Sequence, residues 1–176
     1  MELVCKSQSA ENTKEIGGKL ASLTDKGDII LLSGELGGGK TTFISGMAQS
    51  LNSKQPVSSP SFTLINIYDC RKNKKPVGIV HCDLYRIDEI NDISGIGLED
   101  YIYNEDYIVL IEWAGRLKEG ILKDFLEIKF EYIIDEKQNS DLEYSEKQHR
   151  KITFNSENKY WDRKITLLKT GLKNCI

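Results

Sequence analysis

Asp28-Ile-Ile-Leu-Leu-Ser33 runs directly into Gly34-Glu-Leu-Gly-Gly-Gly-Lys40-Thr41-Thr42, and the stretch from Thr41 to Leu51 carries Phe43, Ile44, Met47, Ala48 and Leu51 on one side. The first piece is short, apolar and β-branched at its start, the pattern of a strand buried on both faces of a parallel sheet. The last has the apolar spacing of a helix. Between them, Gly34, Gly37, Gly38 and Gly39 allow a tight turn that points backbone N–H groups inward. With the start of the following helix, those N–H groups make an anion cradle. The spacing fits G-x-x-x-x-G-K-[ST] at every required position. Glu35, Leu36, Gly37, Gly38, Gly39, Lys40, Thr41 and Thr42 are therefore the candidate phosphate-binding residues. Lys40 is set to face β- and γ-phosphates and the Thr41 hydroxyl to ligate Mg²⁺, while Thr42 adds a further phosphate hydrogen bond. A glycine-rich turn that binds nothing is the competing reading, and the strand before and helix after weigh against it.

Outward from this unit, Ser9 to Leu23 reads as a helix capped by Ser9 or Asn12, with Ile16, Leu20 and Leu23 at helical spacing. Thr63 to Tyr68 and Val77 to Leu84 read as strands joined by the basic turn Arg71–Pro76, together a hairpin. Ile87 to Tyr103 reads as short helices and turns, and Tyr107 to Glu112 as another central strand. Leu126 to Ile134 is expected as an edge strand and Lys137 to Lys147 as an exposed charged loop. Lys151–Phe154 and Lys164–Leu168 are each expected as late strands. The pattern predicts one α/β domain over residues 1–176. It is a three-layer fold of the P-loop NTPase type, with a mainly parallel central sheet and some antiparallel edge strands.

A phosphate loop that does chemistry needs acids at neighbouring strand ends, to hold the metal or orient the attacking water. Asp83 ends Val77-Gly-Ile-Val-His-Cys-Asp83, and Glu112 ends Tyr107-Ile-Val-Leu-Ile-Glu112. Parallel strands would bring both beside the phosphates, whereas each alone would be an ordinary solvated carboxylate. Lys40, Asp83 and Glu112 are the candidate catalytic residues, and Thr41 with Glu112 the candidate metal ligands. His81, two residues before Asp83, shares its side of the strand; it either contacts the site or packs as a core histidine. Trp113 either shapes the site or fills the core. The hydroxyl-rich Ser58-Ser59-Pro60-Ser61-Phe62-Thr63 is either a loop that senses the γ-phosphate or a plain turn. No Asn-Lys-x-Asp motif is present, which favours ATP over GTP, and no Arg-rich lid is present, with Arg86 and Arg116 standing alone.

The net charge of −3 does not suit a chain that grips RNA or DNA unaided. No apolar run approaches the length of a membrane span, and the N-terminus is too polar for a signal peptide. Cys5, Cys70, Cys82 and Cys175 form no CxxC pair and are expected as reduced thiols of a cytoplasmic protein.

Four blocks together resemble the bacterial TsaE (YjeE) family: Gly34–Phe43, Ser58-Ser-Pro-Ser-Phe-Thr-Leu64, His81-Cys-Asp-Leu-Tyr-Arg86 and Ile111-Glu-Trp113. The resemblance spans about residues 8–120, and residues 121–176 form a divergent, charged C-terminal part. It implies a small ATPase needed for the threonylcarbamoyl (t6A) modification of tRNA, acting with a TsaB–TsaD heterodimer and resetting that complex between cycles. ATP and Mg²⁺ would be its cofactors, and tRNA would be met only indirectly, through the complex; neither a membrane nor DNA is implied. By match, Asp83 stands at the family's Walker-B-like acid and Glu112 at its second essential acid, near the metal. Ser59 and Ser61 match a switch-like segment, and Thr13 a residue near the adenine. One departure is Ala114, where the family usually has proline.

The resulting expectation is a hydrolase that is slow alone and partner-dependent. A small-molecule kinase and an ATP-gated binding module without turnover are the alternatives.

Overall fold

The computed structural model describes residues 1–87, 94–117, 120–133, 149–172 and 175. Their elements are β1 (Glu2–Ser7), α1 (Ala10–Leu23), β2 (Ile29–Gly34), α2 (Lys40–Ser50), β3 (Ile65–Lys72), β4 (Lys75–Asp83), α3 (Glu99–Ile102), β5 (Tyr107–Glu112), β6 (Phe125–Ile133), β7 (His149–Asn155) and α4 (Lys159–Gly171). Short 3₁₀ turns lie at Ser94–Ile96 and Ala114–Arg116. The strands form one α/β sheet in the order β1-β7-β6-β2-β5-β4-β3. Its middle is parallel, through β6–β2, β2–β5 and β5–β4. Its flanks are antiparallel, through β1–β7, β7–β6 and the β3–β4 hairpin.

The central strands are apolar because both their faces are covered. On one face α1, α2 and α4 bury Ile16, Leu20, Phe43, Met47, Trp161 and Leu168 against Ile30, Leu32, Phe130 and Phe154. On the other, Val80, Cys82, Val109 and Ile111 meet Leu84, Ile87 and Leu98, with Tyr101, Trp113 and Leu117 partly buried around them. Helices α1 and α2 touch backbone to backbone: a Cβ on Gly17 would lie 2.3 Å from the Phe43 carbonyl oxygen, and one on Gly46 would lie 2.1 Å from that of Lys14.

Ser9 caps α1 as expected, its side chain accepting from Asn12 N. Two readings of the sequence change. β6 is not an edge: β7 and then β1 add beyond it, and its alternating exposure follows from having only one face covered. Lys164–Leu168 is not a strand but the middle of α4, which Asn158 caps through Trp161 N. Trp161, Ile165 and Leu168 recur there at helical spacing and are buried. The N-terminal segment is strand β1. The charged segment Lys137–Lys147 lies outside the described residues.

Cys5 and Cys175 form a disulfide and an isolated bridge, because the C-terminal segment returns beside β1. The expectation of reduced thiols therefore applies only to Cys70 and Cys82, which are buried and free.

At the amino end of the central strands, Lys164 bonds Asp28 at 2.7 Å and Asp25 at 3.0 Å, and also the Tyr160 hydroxyl. The Tyr160 hydroxyl donates to Asp28 at 2.6 Å. Burial, then donation to Asp28, pushes the Tyr160 phenol up to about 12.

Candidate functional site

β2 ends at Gly34, where the chain must turn beside β6. Gly34 has φ 127°, and a Cβ there would lie 2.2 Å from the Phe130 carbonyl oxygen, so only glycine fits. Gly39 is the N-cap of α2 in the left-handed region, with φ 105°. Between them Glu35, Leu36 and Gly37 are exposed and Gly38 is buried, its N–H bonded to the Glu35 carbonyl at 3.0 Å. The loop therefore rests on the end of the sheet with its backbone open above the start of α2.

Lys40 is buried, and its ammonium donates to the carbonyls of Gly34 (2.9 Å) and Glu35 (3.0 Å). It also lies 4.9 Å from the centre of the Trp113 ring. Trp113 thus borders the site; its own φ of 62° turns the chain sharply at the end of β5.

The parallel register sets Asp83 directly opposite Glu112. Both are buried, at 3% and 4% exposure. Glu112 Oε1 accepts from the Thr41 hydroxyl at 3.3 Å and from His81 Nε2 at 2.9 Å, and its Oε2 lies 3.8 Å from the Lys40 ammonium. Asp83 is engaged differently. Its Oδ2 accepts from Ser61 (2.7 Å) and Ser59 (3.2 Å), and its Oδ1 from the Tyr85 N–H (3.0 Å). Ser59 and Ser61 are 2.7 Å apart. The serine-rich loop is thus strapped onto one acid while the phosphate loop leans on the other. Cys82, between His81 and Asp83, is an inert neighbour: burial, then the charges of Asp83 and Glu112, push its thiol up to about 12.

These residues suit Mg²⁺. It binds through one or two carboxylates plus phosphate oxygens and water, and Thr41 with Glu112 offers adjacent hard oxygens at the loop. Among the described residues no cluster of three or more His, Cys, Asp or Glu forms a protein-only metal cage. Thr41 and Glu112 would hold the ion.

Thr13 is buried, and its hydroxyl donates to the Ser9 carbonyl (3.1 Å) and lies 2.7 Å from the Ser7 hydroxyl. Its methyl carbon, not its hydroxyl, faces the loop, 3.7 Å from where a Cβ on Gly39 would stand. Thr42 is half-buried in the first turn of α2.

Two residues beside the loop escaped the sequence reading. The Tyr132 hydroxyl donates to the Leu36 carbonyl at 3.4 Å. Arg150 reaches Gly39, where a Cβ would lie 3.0 Å from its Nε, and its guanidinium stands 5.9 Å from the Tyr132 ring centre. They come from the β6 and β7 ends, which only tertiary pairing brings to the loop. A cavity of about 660 Å³, bordered by Ser33, Glu35, Trp113, Arg116 and Phe125, opens on the other side.

The chain is similar to known proteins of one family. The sequence model of the family described as "Threonylcarbamoyl adenosine biosynthesis protein TsaE" matches residues 7–152. The tRNA threonylcarbamoyladenosine biosynthesis protein TsaE of Bacillus subtilis is 33% identical over 127 residues, which are 72% of this chain and 76% of that one. The protein of the same name from Treponema pallidum is 33% identical over 113 residues, 64% and 79% of the two chains. The crystal structure of YdiB from Bacillus subtilis superposes with a TM-score of 0.73 at 26% identity, covering 97% of this chain and 96% of that one.

Proposed function

The chain belongs to the TsaE family, and we propose that it is a Mg-ATP hydrolase, weak alone, whose turnover serves the threonylcarbamoyl modification of tRNA with a TsaB–TsaD pair. The observation that carries the reading is the convergence of Lys40, Thr41 and Glu112 under a complete phosphate loop. Thr41 and Glu112 would hold Mg²⁺, which when bound would supply positive charge to offset the charge that develops on the transferred phosphoryl group. The chain's own part is positioning and electrostatics. Lys40 exchanges its two carbonyl partners for phosphate oxygens. The N–H groups of Gly37 and of Gly39 to Thr42 surround the phosphates at the start of α2, and the Thr41 hydroxyl and Glu112 would hold the ion. Asp83 stands on the adjacent strand, within reach of a water directed at the γ-phosphate once Ser59 and Ser61 yield. That exchange gives the serine loop its switch role, with Phe62 at its tip 85% exposed. Thr13 borders the adenine side.

A phosphate loop needs no tRNA grip of its own, and the net charge of −3 fits tRNA contact through the partner pair, in the cytoplasm. No helix among the described residues is long and apolar enough to cross a membrane.

Release of phosphate from ATP, measured with and without a TsaB–TsaD pair, tests the reading. The expected result is low activity that rises with the pair and is lost in Lys40→Ala. Activity indifferent to the pair removes the tRNA-modification role. Phosphate appearing on a metabolite instead of in solution replaces the hydrolase with a kinase.

A further inference from the structure

The Glu112 carboxylate meets three donors: Lys40, Thr41 and His81. Two of them have a second task, since Lys40 is the phosphate ligand of such a loop and Thr41 the metal ligand. His81 has none. It is fully buried on β4, two strands over from the phosphate loop's own strand, with β5 between them. Its Nδ1 has no hydrogen-bond partner among the described residues. Its ring stands 6.5 Å from that of Tyr68. A carboxylate only accepts, so the His81 Nε2 must carry the hydrogen it shares with Glu112. A buried imidazole with a single polar partner is oriented by that partner and orients it in return.

We propose that His81 is a positioning residue for Glu112: its Nε2–H pins Oε1, so that Oε2 stays turned toward the Mg²⁺–phosphate site when Lys40 and Thr41 are drawn to the ligand. The role rests on the nucleotide reading above. It explains why an imidazole stands where the β4 pattern would take any apolar residue. It also predicts a division of labour between the strand's last side chains, with Asp83 meeting the serine loop and His81 meeting Glu112.

The test uses the full chain with His81→Leu, which keeps the bulk and removes the donor, and His81→Gln, whose amide nitrogen can replace Nε2. ATP binding is followed by calorimetry as Mg²⁺ is titrated, and again in chelator. In His81→Leu the Mg²⁺ midpoint is expected to rise about tenfold, with binding in chelator unchanged. His81→Gln is expected within about threefold of the wild type. An imidazole nitrogen spectrum is simple to assign, because the chain has only two histidines; it should show Nε2–H at His81 with and without Mg-ATP. A folded His81→Leu with the wild-type Mg²⁺ midpoint overturns the role while leaving the nucleotide reading intact. So does an Nδ1–H tautomer, or a folded His81→Gln as impaired as the leucine variant. A wild-type protein that binds no Mg-ATP overturns the nucleotide reading, and this role falls with it.

Discussion

Lys40 and Lys164 are buried at opposite ends of the same central strands, 4% and 7% exposed. Lys164 is fully committed: two carboxylates and a phenol close around it at hydrogen-bond distance. Lys40 is not. Its hydrogen bonds go to two neutral carbonyls of its own loop, and the nearest carboxylate oxygen is 3.8 Å away. For Lys40 to bind phosphate as proposed it must not be locked to an acid first, because the full attraction of that pair would then oppose the ligand. A lysine that only ties α4 to the sheet can be. Burial of a charge is common to both, and the hardness of its partners tells a static clamp from a working one.

The sharpest way to break the comparison is Lys40→Ala. ATP turnover should fall by about 100-fold or more, while the urea midpoint moves little, since the carbonyls it leaves face a loop open to water. A large loss of stability there would make Lys40 a clamp as well. Lys164→Met should do the reverse. Asp28 is left buried with only Tyr160 and a backbone N–H, and unfolding in urea should show a loss of about 3 kcal/mol, with ATP affinity within about twofold of wild type.

The pH profile of stability sharpens the contrast further. Burial acts to raise the Asp25 carboxyl, but hydrogen bonding and attraction from Lys164, then Lys72, hold it below its ordinary 3.8. Its contribution is present above pH 3.8 and is lost as pH falls further. Burial acts to lower Lys164, but Asp28, Tyr160 and Asp25 raise it above 10.5. That contribution is complete below 10.5 and is lost as pH rises through the folded value. Tyr160 gives a loss of the same sign between 10 and about 12. Thermal midpoints should therefore fall at both extremes, and Lys164→Met should flatten both arms. The smallest effect is expected from Tyr160→Phe, about 1 kcal/mol in urea unfolding, with turnover unchanged.

What could be read from sequence divides along the same line. The phosphate loop was legible because its chemistry is local: strand, glycine turn and helix are contiguous. Asp83 and Glu112 were legible because a strand's end is marked where its apolar run stops, and the parallel register then pairs them. The clamp was not legible. Asp28 and Lys164 are 136 residues apart, and Lys164-Ile-Thr-Leu-Leu168 mimics a strand until the Asn158 cap and the Trp161, Ile165, Leu168 spacing are taken together. Tyr132 and Arg150 were hidden for the same reason, since the β6–β7 pairing alone brings them to Leu36 and Gly39. β6 passed for an edge strand because its one-sided alternation does not reveal that two strands follow it outward.

The contact of α1 with α2 has a mechanical meaning. At Gly17 and Gly46 no side chain stands between the two backbones, and side chains are the part of an interior that gives way by changing rotamer. The helix that begins at the phosphate loop therefore has a hard stop along its flank. Any tilt of α2 beyond a few tenths of an ångström has to carry α1 with it, and with α1 its first turn, where Thr13 sits beside Gly39. The two helices beside the phosphate loop then move as one lever, and a change at the loop would be felt at β1, where the chain enters the sheet.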